Sequence, residues 1–312
     1  MSRPVPRIAV VDLGSNSVRL FLCDGVDPAG PRGERRSTVT ALRRGAAADG
    51  SLAEDALDRL DACLADYAGP TARFGPDRVI AVGTSAIRDA PNRDRVARIL
   101  EARLGAELTV LGGEEEALCS FAGARLGAGG SGEIMVIDIG GASTELVRGG
   151  AGGPEGAVSL QLGAVRQTER HIASDPPAPA ELAALREEAG ALVRGALDEI
   201  GGPAPAVGVA GTITTLAAID LGAYDPRRVD GHRLPLEVIR RITGALAGVS
   251  TEVRAATPGL EPARAGVIVA GAVIATAVLE EAGLDAMTVS ERDLLDGVVL
   301  HALDPSNGLF RS

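Results

Sequence analysis

The run Asp12-Leu13-Gly14-Ser15-Asn16-Ser17 places an acid, a glycine and three short polar side chains at the end of an apolar segment. Backbone N–H groups of such a turn can cradle phosphate oxygens, although the same residues also build an ordinary tight turn. A second glycine-hydroxyl turn, GTSAIR from Gly83, ends in Arg88, which reads either as a forked phosphate clamp or as a plain surface arginine. In GGEEEALCSFAG, from Gly112, three glutamates open a helix whose Leu118, Phe121 and Ala122 are expected to face inward. Acids in a first helical turn are ordinarily explained by the helix macrodipole, so spacing alone does not single out one of them. Asp138 and Glu145 flank another glycine turn, and two oxygen donors so placed suit Mg²⁺, or a similar hard ion such as Mn²⁺. Glu145 also reads as an exposed hairpin residue. GTITTLAA, from Gly211, opens a further helix; its N–H groups can face an anion, and Thr212 can equally be an N-cap.

These turns are positioned by an internal repeat. IAVVDLGSNSVRL from Ile8 returns as IMVIDIGGASTEL from Ile134, and VIAVGTS from Val79 returns as VGVAGTI from Val207. Two different motifs at nearly the same offset imply duplication of a whole fold unit, and two copies imply two similar lobes. Each copy starts as a β-branched run, breaks at glycine and returns as a hairpin strand. The copies differ in one informative place: Arg19 stands where the second has Glu145, so one lobe offers a cation and the other a second acid. Ser51 and Glu54 have capping-box spacing before an amphipathic helix with Leu57, Leu60, Leu64 and Tyr67 on one face. After SDPPAP at 174–179, Leu182, Leu185, Ala189 and Leu192 mark another helix. The reading is α/β, with a lobe over 1–125, a lobe over 126–312 and a cleft between their glycine turns, the last helix packing back on the first lobe.

Composition removes several alternatives. No lysine occurs among the 31 basic residues, which excludes the P-loop lysine and Schiff-base chemistry. A net charge of −11 argues against broad nucleic-acid binding. Cys23, Cys63 and Cys119 lie in apolar patterns and read as reduced packing residues of a cytoplasmic protein. His171, His232 and His301 share no metal-ligand or triad spacing. The N-terminus lacks the apolar core of a signal peptide. Ala265 to Leu279 is shorter than the roughly 20 residues of a membrane span and reads as a buried helix.

Taken in order, DLGSNSVRL, GTSAIR with Asn92, GEEEA, DIGGASTEL, LGAVRQTE, AGTITTLAA, PARAGVIVAG and VSERDLLDGV resemble the exopolyphosphatase/guanosine pentaphosphate phosphatase (Ppx/GppA) family of the actin-like ATPase superfamily. The resemblance implies a duplicated ribonuclease H-like (actin-like ATPase) fold. It implies hydrolysis of terminal phosphate from inorganic polyphosphate, or of the 5′ γ-phosphate of pppGpp, with 2% aromatics favouring the former. Glu116 resembles the catalytic glutamate, and Asp138 and Glu145 the metal-associated acids. Ser15, Asn16, Ser17, Arg19, Arg88, Gly141, Ser143, Gly211 and Thr212 resemble the phosphate-binding loops. Because larger members carry further helical domains, a chain stopping at Ser312 implies a short form acting on short chains; a homodimer is the assembly entertained. Ala142 departs from the usual GGGS turn and would be strained at positive φ. Asp293 and Asp296 are further departures. A nonhydrolytic polyphosphate or alarmone sensor and a sugar-kinase-like ATPase are the competing readings.

Overall fold

The computed structural model describes residues 5–27, 30–47, 49–128 and 131–309. The chain divides into two compact units, one comprising 1–119 and 294–312, the other 120–293.

Unit 1 is built on a five-stranded mixed sheet, β3-β2-β1-β4-β5, formed by β1 (Ile8–Leu13), β2 (Ser17–Asp27), β3 (Gly30–Val39), β4 (Arg78–Gly83) and β5 (Leu108–Val110). β1 is buried along its whole length, as its run of Ile, Ala, Val and Leu requires. Its partners are antiparallel β2, in register Asp12↔Arg19, and parallel β4, in register Leu13↔Gly83. Three helices complete this part: α1 (Glu54–Phe74), a single turn α2 (Ser85–Arg88), and α3 (Arg93–Leu104). Leu57, Leu60, Leu64 and Tyr67 form the buried stripe of α1, as their spacing predicts.

The capping box does not form. The N-cap of α1 is Ala53 without a side-chain bond, which puts Glu54 at the first helical position instead of the third. Glu54 instead pairs with Arg95 of α3. The next helix, α4 (Gly113–Ala128), carries the three glutamates, and the division between units falls inside it. Its buried set is Glu116, Ala117, Cys119, Ser120, Phe121, Gly123 and Ala124; Leu118 and Ala122 are only half-buried, so the inward face is rotated from the expected one.

Unit 2 repeats the plan on a six-stranded sheet, β10-β11-β9-β6-β7-β8. Its strands are β6 (Ile134–Ile139), β7 (Thr144–Gly150), β8 (Gly153–Leu160), β9 (Ala206–Val209), β10 (Arg233–Pro235) and β11 (Ala286–Val289). The central hairpin again pairs the motif with its return strand, Asp138↔Glu145, and β9 again lies parallel beside it. The helices are α5 (Ala164–His171), α6 (Pro179–Glu199), α7 (Ala210–Leu221), the single turn α8 (Pro226–Val229), α9 (Leu236–Ala247), the single turn α10 (Thr251–Arg254) and α11 (Ile268–Glu281). α11 is buried from Ile268 to Leu279 and packs among α5, α6, α7 and α9, which explains why its sequence is apolar on every face.

The last helix, α12 (Leu294–Leu303), belongs to unit 1 and packs on β1 and β3. Each unit thus has its own core beneath a mixed sheet covered by helices, an α/β layer structure in both cases. Among the described residues no helix is long and apolar enough to cross a membrane.

Candidate functional site

In open α/β sheets ligands bind beyond the carboxyl ends of the strands, where turns expose backbone donors. Unit 1 collects its candidate residues there. At the end of β1, Gly14 N donates to the Ser17 carbonyl at 3.1 Å, closing a turn around Ser15 and Asn16. A Cβ on Gly14 would sit 2.8 Å from that carbonyl oxygen, so the closure demands glycine. The turn is braced from outside: the Asn16 carbonyl accepts from Thr40 and Ala41 N–H, and the Ser15 carbonyl from Arg43 N–H. Ala41 holds φ of 48°, a left-handed conformation uncommon for alanine, at the point of this brace.

Beside it, β4 ends at Gly83 and leads through Thr84 into α2. Arg88, at the end of α2, donates to the Leu111 carbonyl at 2.8 Å and to Glu116 Oε2 at 3.3 Å. Glu116 is 8% exposed. The neighbouring acids separate by their contacts: Glu115 accepts from Gly112 N–H at 2.7 Å, a capping role, whereas Glu116 meets a guanidinium. The structure therefore brings Arg88 onto the candidate base, a contact that neither the phosphate-clamp nor the surface-arginine expectation includes. Arg19 likewise forms an ion pair, its Nε and Nη2 lying 2.8 and 2.7 Å from Asp12 Oδ2.

Unit 2 mirrors the turn and changes its charge. Gly140 N donates to the Ser143 carbonyl at 3.0 Å, enclosing Gly141 and Ala142. The first amides of α5 secure it: Ala164 N donates to Gly140, and Val165 and Arg166 N to Gly141. Gly163 approaches so closely that a Cβ would overlap the Gly141–Ala142 backbone. The expected strain at Ala142 is not found. The non-glycine residues with positive φ among the described ones are Ala41 and Ala210, and Ala142 is buried with its carbonyl bound by Arg166 Nε at 2.8 Å.

Asp138 and Glu145 lie directly opposite one another across β6 and β7, 7% and 1% exposed. Like charges in that relation are destabilising unless something stands between them. Unit 1 places a guanidinium against the acid at the equivalent position, and unit 2 places a second carboxylate there. Ser120 donates to Asp138 Oδ2 at 2.5 Å and Ser159 to Glu145 Oε1 at 2.7 Å. Among the described residues no cluster of three or more metal-ligating side chains occurs. A pair of acids suits Mg²⁺, which keeps waters and takes its remaining ligands from phosphates.

At the end of β9, Ala210 (φ 65°) precedes Gly211 and Thr212, and α7 already begins at Ala210. The N-cap is Val209 and makes no side-chain bond, so Thr212 is not the cap; it sits within the first turn. Arg264, held by Glu261 at 2.9 Å, lies with its Cζ 2.8 Å from where a Cβ on Gly211 would be. Arg264 belongs to the PARAGVIVAG motif and is not among the expected site residues. The glycine in AGTIT was the available signal, since only a residue without a side chain leaves room for a guanidinium over the helix start.

Strand-end turns of this kind in both units, with an Asp–Arg pair on the hairpin of unit 1 and an Asp–Glu pair on that of unit 2, define the class as a duplicated α/β protein. A sequence profile of the Ppx/GppA phosphatase family matches residues 33–305, and the chain belongs to that family. It is 38% identical to "Exopolyphosphatase 2" of Mycobacterium tuberculosis, covering 94% of this chain and 98% of that one. It is 29% identical to "Guanosine-5'-triphosphate,3'-diphosphate pyrophosphatase" of Vibrio atlanticus, covering 96% of this chain and 60% of that longer protein. Among solved structures, the Aquifex aeolicus Ppx/GppA family member superposes with a TM-score of 0.81 at 30% identity over 98% of this chain and 100% of that one.

Proposed function

We propose that the protein is an exopolyphosphatase that removes the terminal phosphate from inorganic polyphosphate. The observation that carries this reading is the asymmetry of the duplicated hairpins: Asp12 faces Arg19 in unit 1, and Asp138 faces Glu145 in unit 2. A phosphate chain needs donors and cations, which Ser15, Asn16, Ser17, Arg19, Gly141, Ser143, Gly211 and Thr212 supply. Its terminal phosphorus needs charge neutralisation during displacement, and Mg²⁺ held by Asp138 and Glu145 would supply it. The full-length similarity to a protein named exopolyphosphatase supports the substrate class.

In the proposed step Glu116 takes a proton from water as the water oxygen bonds to the terminal phosphorus. The bridging P–O bond breaks, and orthophosphate leaves a chain one unit shorter. Arg88, bonded to Glu116 and to the Leu111 carbonyl, fixes the carboxylate for that transfer. A general base contributes about 10²–10⁴-fold. Phosphate release from defined polyphosphates by Glu116→Gln in Mg²⁺ is therefore expected to fall by about that factor; an unchanged rate removes Glu116 from the role.

The Vibrio relative's name favours pppGpp as a second substrate to test. A panel of triphosphate, short and long polyphosphate, pppGpp and ATP ranks the readings: pppGpp first reverses the assignment, and tight binding without turnover turns the protein into a sensor. The three cysteines are unbridged and buried, which supports a reducing, cytoplasmic setting.

A further inference from the structure

Two serines to which no role has been given above, Ser120 and Ser159, converge on the acid pair of unit 2. Ser120, fully buried on α4, donates its hydroxyl to Asp138 Oδ2 at 2.5 Å, and Ser159, on β8, donates to Glu145 Oε1 at 2.7 Å. The second contact follows from register: Asp138 is opposite Glu145, and Glu145 is opposite Ser159, so the three side chains form one row on one face of the sheet. Unit 1 holds the matching row Asp12, Arg19, Ser37. There the acid is gripped by a guanidinium, and Ser37 is exposed.

We propose that Ser120 and Ser159 are positioning residues for the metal site, each fixing the rotation of one carboxylate so that the pair is preset for a hard divalent ion. The inference rests on the reading of Asp138 and Glu145 as metal ligands. A hydroxyl is suited to this because it orients an acid without supplying a positive charge, whereas an arginine in its place would compete with the ion. Carboxylate ligands held in this way are ordered before the ion arrives, so the ion does not bear the cost of arranging them. Ser120 matters most: it reaches the sheet from a helix, and its position is set by the packing of α4.

The test is titration of the full chain with Mn²⁺ alone, free ion being read by electron paramagnetic resonance, with thermal melting of every variant. Ser120→Ala and Ser159→Ala are expected to bind Mn²⁺ about tenfold more weakly than wild type, the loss usual for a ligand-orienting partner. Ser159→Thr keeps the hydroxyl and restores the affinity. In turnover, the alanine variants need about tenfold more Mg²⁺ for half-maximal rate and recover kcat at saturation, which a general loss of structure would not allow. Alanine variants that melt like wild type and bind Mn²⁺ as tightly overturn the proposal; if Ser120→Ala does not fold, Ser159→Ala decides. Asp138→Asn separates the two levels of inference. If it weakens Mn²⁺ binding while the serine variants do not, only the serines lose their role; if it binds as wild type, the metal reading falls and this proposal falls with it.

Discussion

Replacing Arg35 by methionine should loosen the C-terminal helix of unit 1. Asp296 of α12 is fully buried, and its Oδ1 accepts from Arg35 Nη2 of β3 at 2.7 Å. The same guanidinium lies 4.0 Å over the Phe21 ring, and Arg78 Nη1 binds the Ala302 carbonyl at the far end of the helix at 3.0 Å. A hydrogen bond to a charged group contributes about 1.5–3 kcal/mol, and a cation over an aromatic face adds about 0.5–1 kcal/mol. Arg35 is 29% exposed at its side chain, which discounts both through solvent screening. The expected loss for Arg35→Met is about 2–3 kcal/mol, the methionine keeping the apolar stem.

Asp296→Asn should lose less, since its amide oxygen still accepts from Arg35. The pair Arg35→Met with Asp296→Leu should regain much of the loss, because a buried ion pair replaced by apolar groups is often neutral. Urea unfolding followed by far-ultraviolet circular dichroism gives the stability, and hydrogen exchange over residues 294–303 gives the local effect. A loss under about 0.5 kcal/mol with unchanged exchange in that helix would refute the argument, placing the pair with the surface bridges of little net worth.

Gly123 and Gly297 should not tolerate alanine. A Cβ would land on the Asp293 carbonyl oxygen in the first case and on that of Cys119 in the second, and overpacking against backbone costs about 1–3 kcal/mol each, measured as a shift in urea midpoint. Glu181, which accepts from Ser174 Oγ and the N–H groups of Ala178, Ala173 and Ser174, has its pKa lowered from 4.5 to about 2. A depressed folded pKa contributes stability that is present above the ordinary value and is lost as pH falls through the folded one. The stability gap between wild type and Glu181→Gln should therefore be constant above about pH 5 and close progressively on acidification toward pH 2. Burial raises the thiol pKa of Cys23, Cys63 and Cys119, so the native protein should leave an aromatic disulfide reagent unconsumed at pH 8, and the urea-unfolded chain should react at all three. Rapid native reaction would contradict the burial.

How far the molecule was legible depended on the range of the forces involved. The duplicated hairpins were readable because β-branched runs, a glycine break and a return strand are local; the registers Asp12↔Arg19 and Asp138↔Glu145 follow from turn length. The buried stripe of α1 and the apolar α11 were readable because burial stamps its period on the sequence. Helix ends were read less well. Glu54 has capping spacing, yet Arg95, 41 positions away, claims it. Arg88 reads as a phosphate clamp or a plain surface arginine, and its bond to Glu116, 28 positions away, is written in neither motif.

By itself, then, the sequence determined two copies of one α/β plan, the glycine turns at their strand ends, and the acid-for-cation exchange between Arg19 and Glu145, since each is written in neighbouring residues. Only the tertiary structure decided which glutamate of the three meets Arg88, that Arg264 covers Gly211, that Ala142 escapes strain, that Asp296 is the partner of Arg35, and that Ser120 and Ser159 hold the two acids. Most of these join residues distant in sequence, and even Ala142 owes its relaxed turn to α5. Side-chain contacts between separate elements leave no period or spacing behind them, because they depend on how whole helices and strands pack rather than on the order of residues within any one.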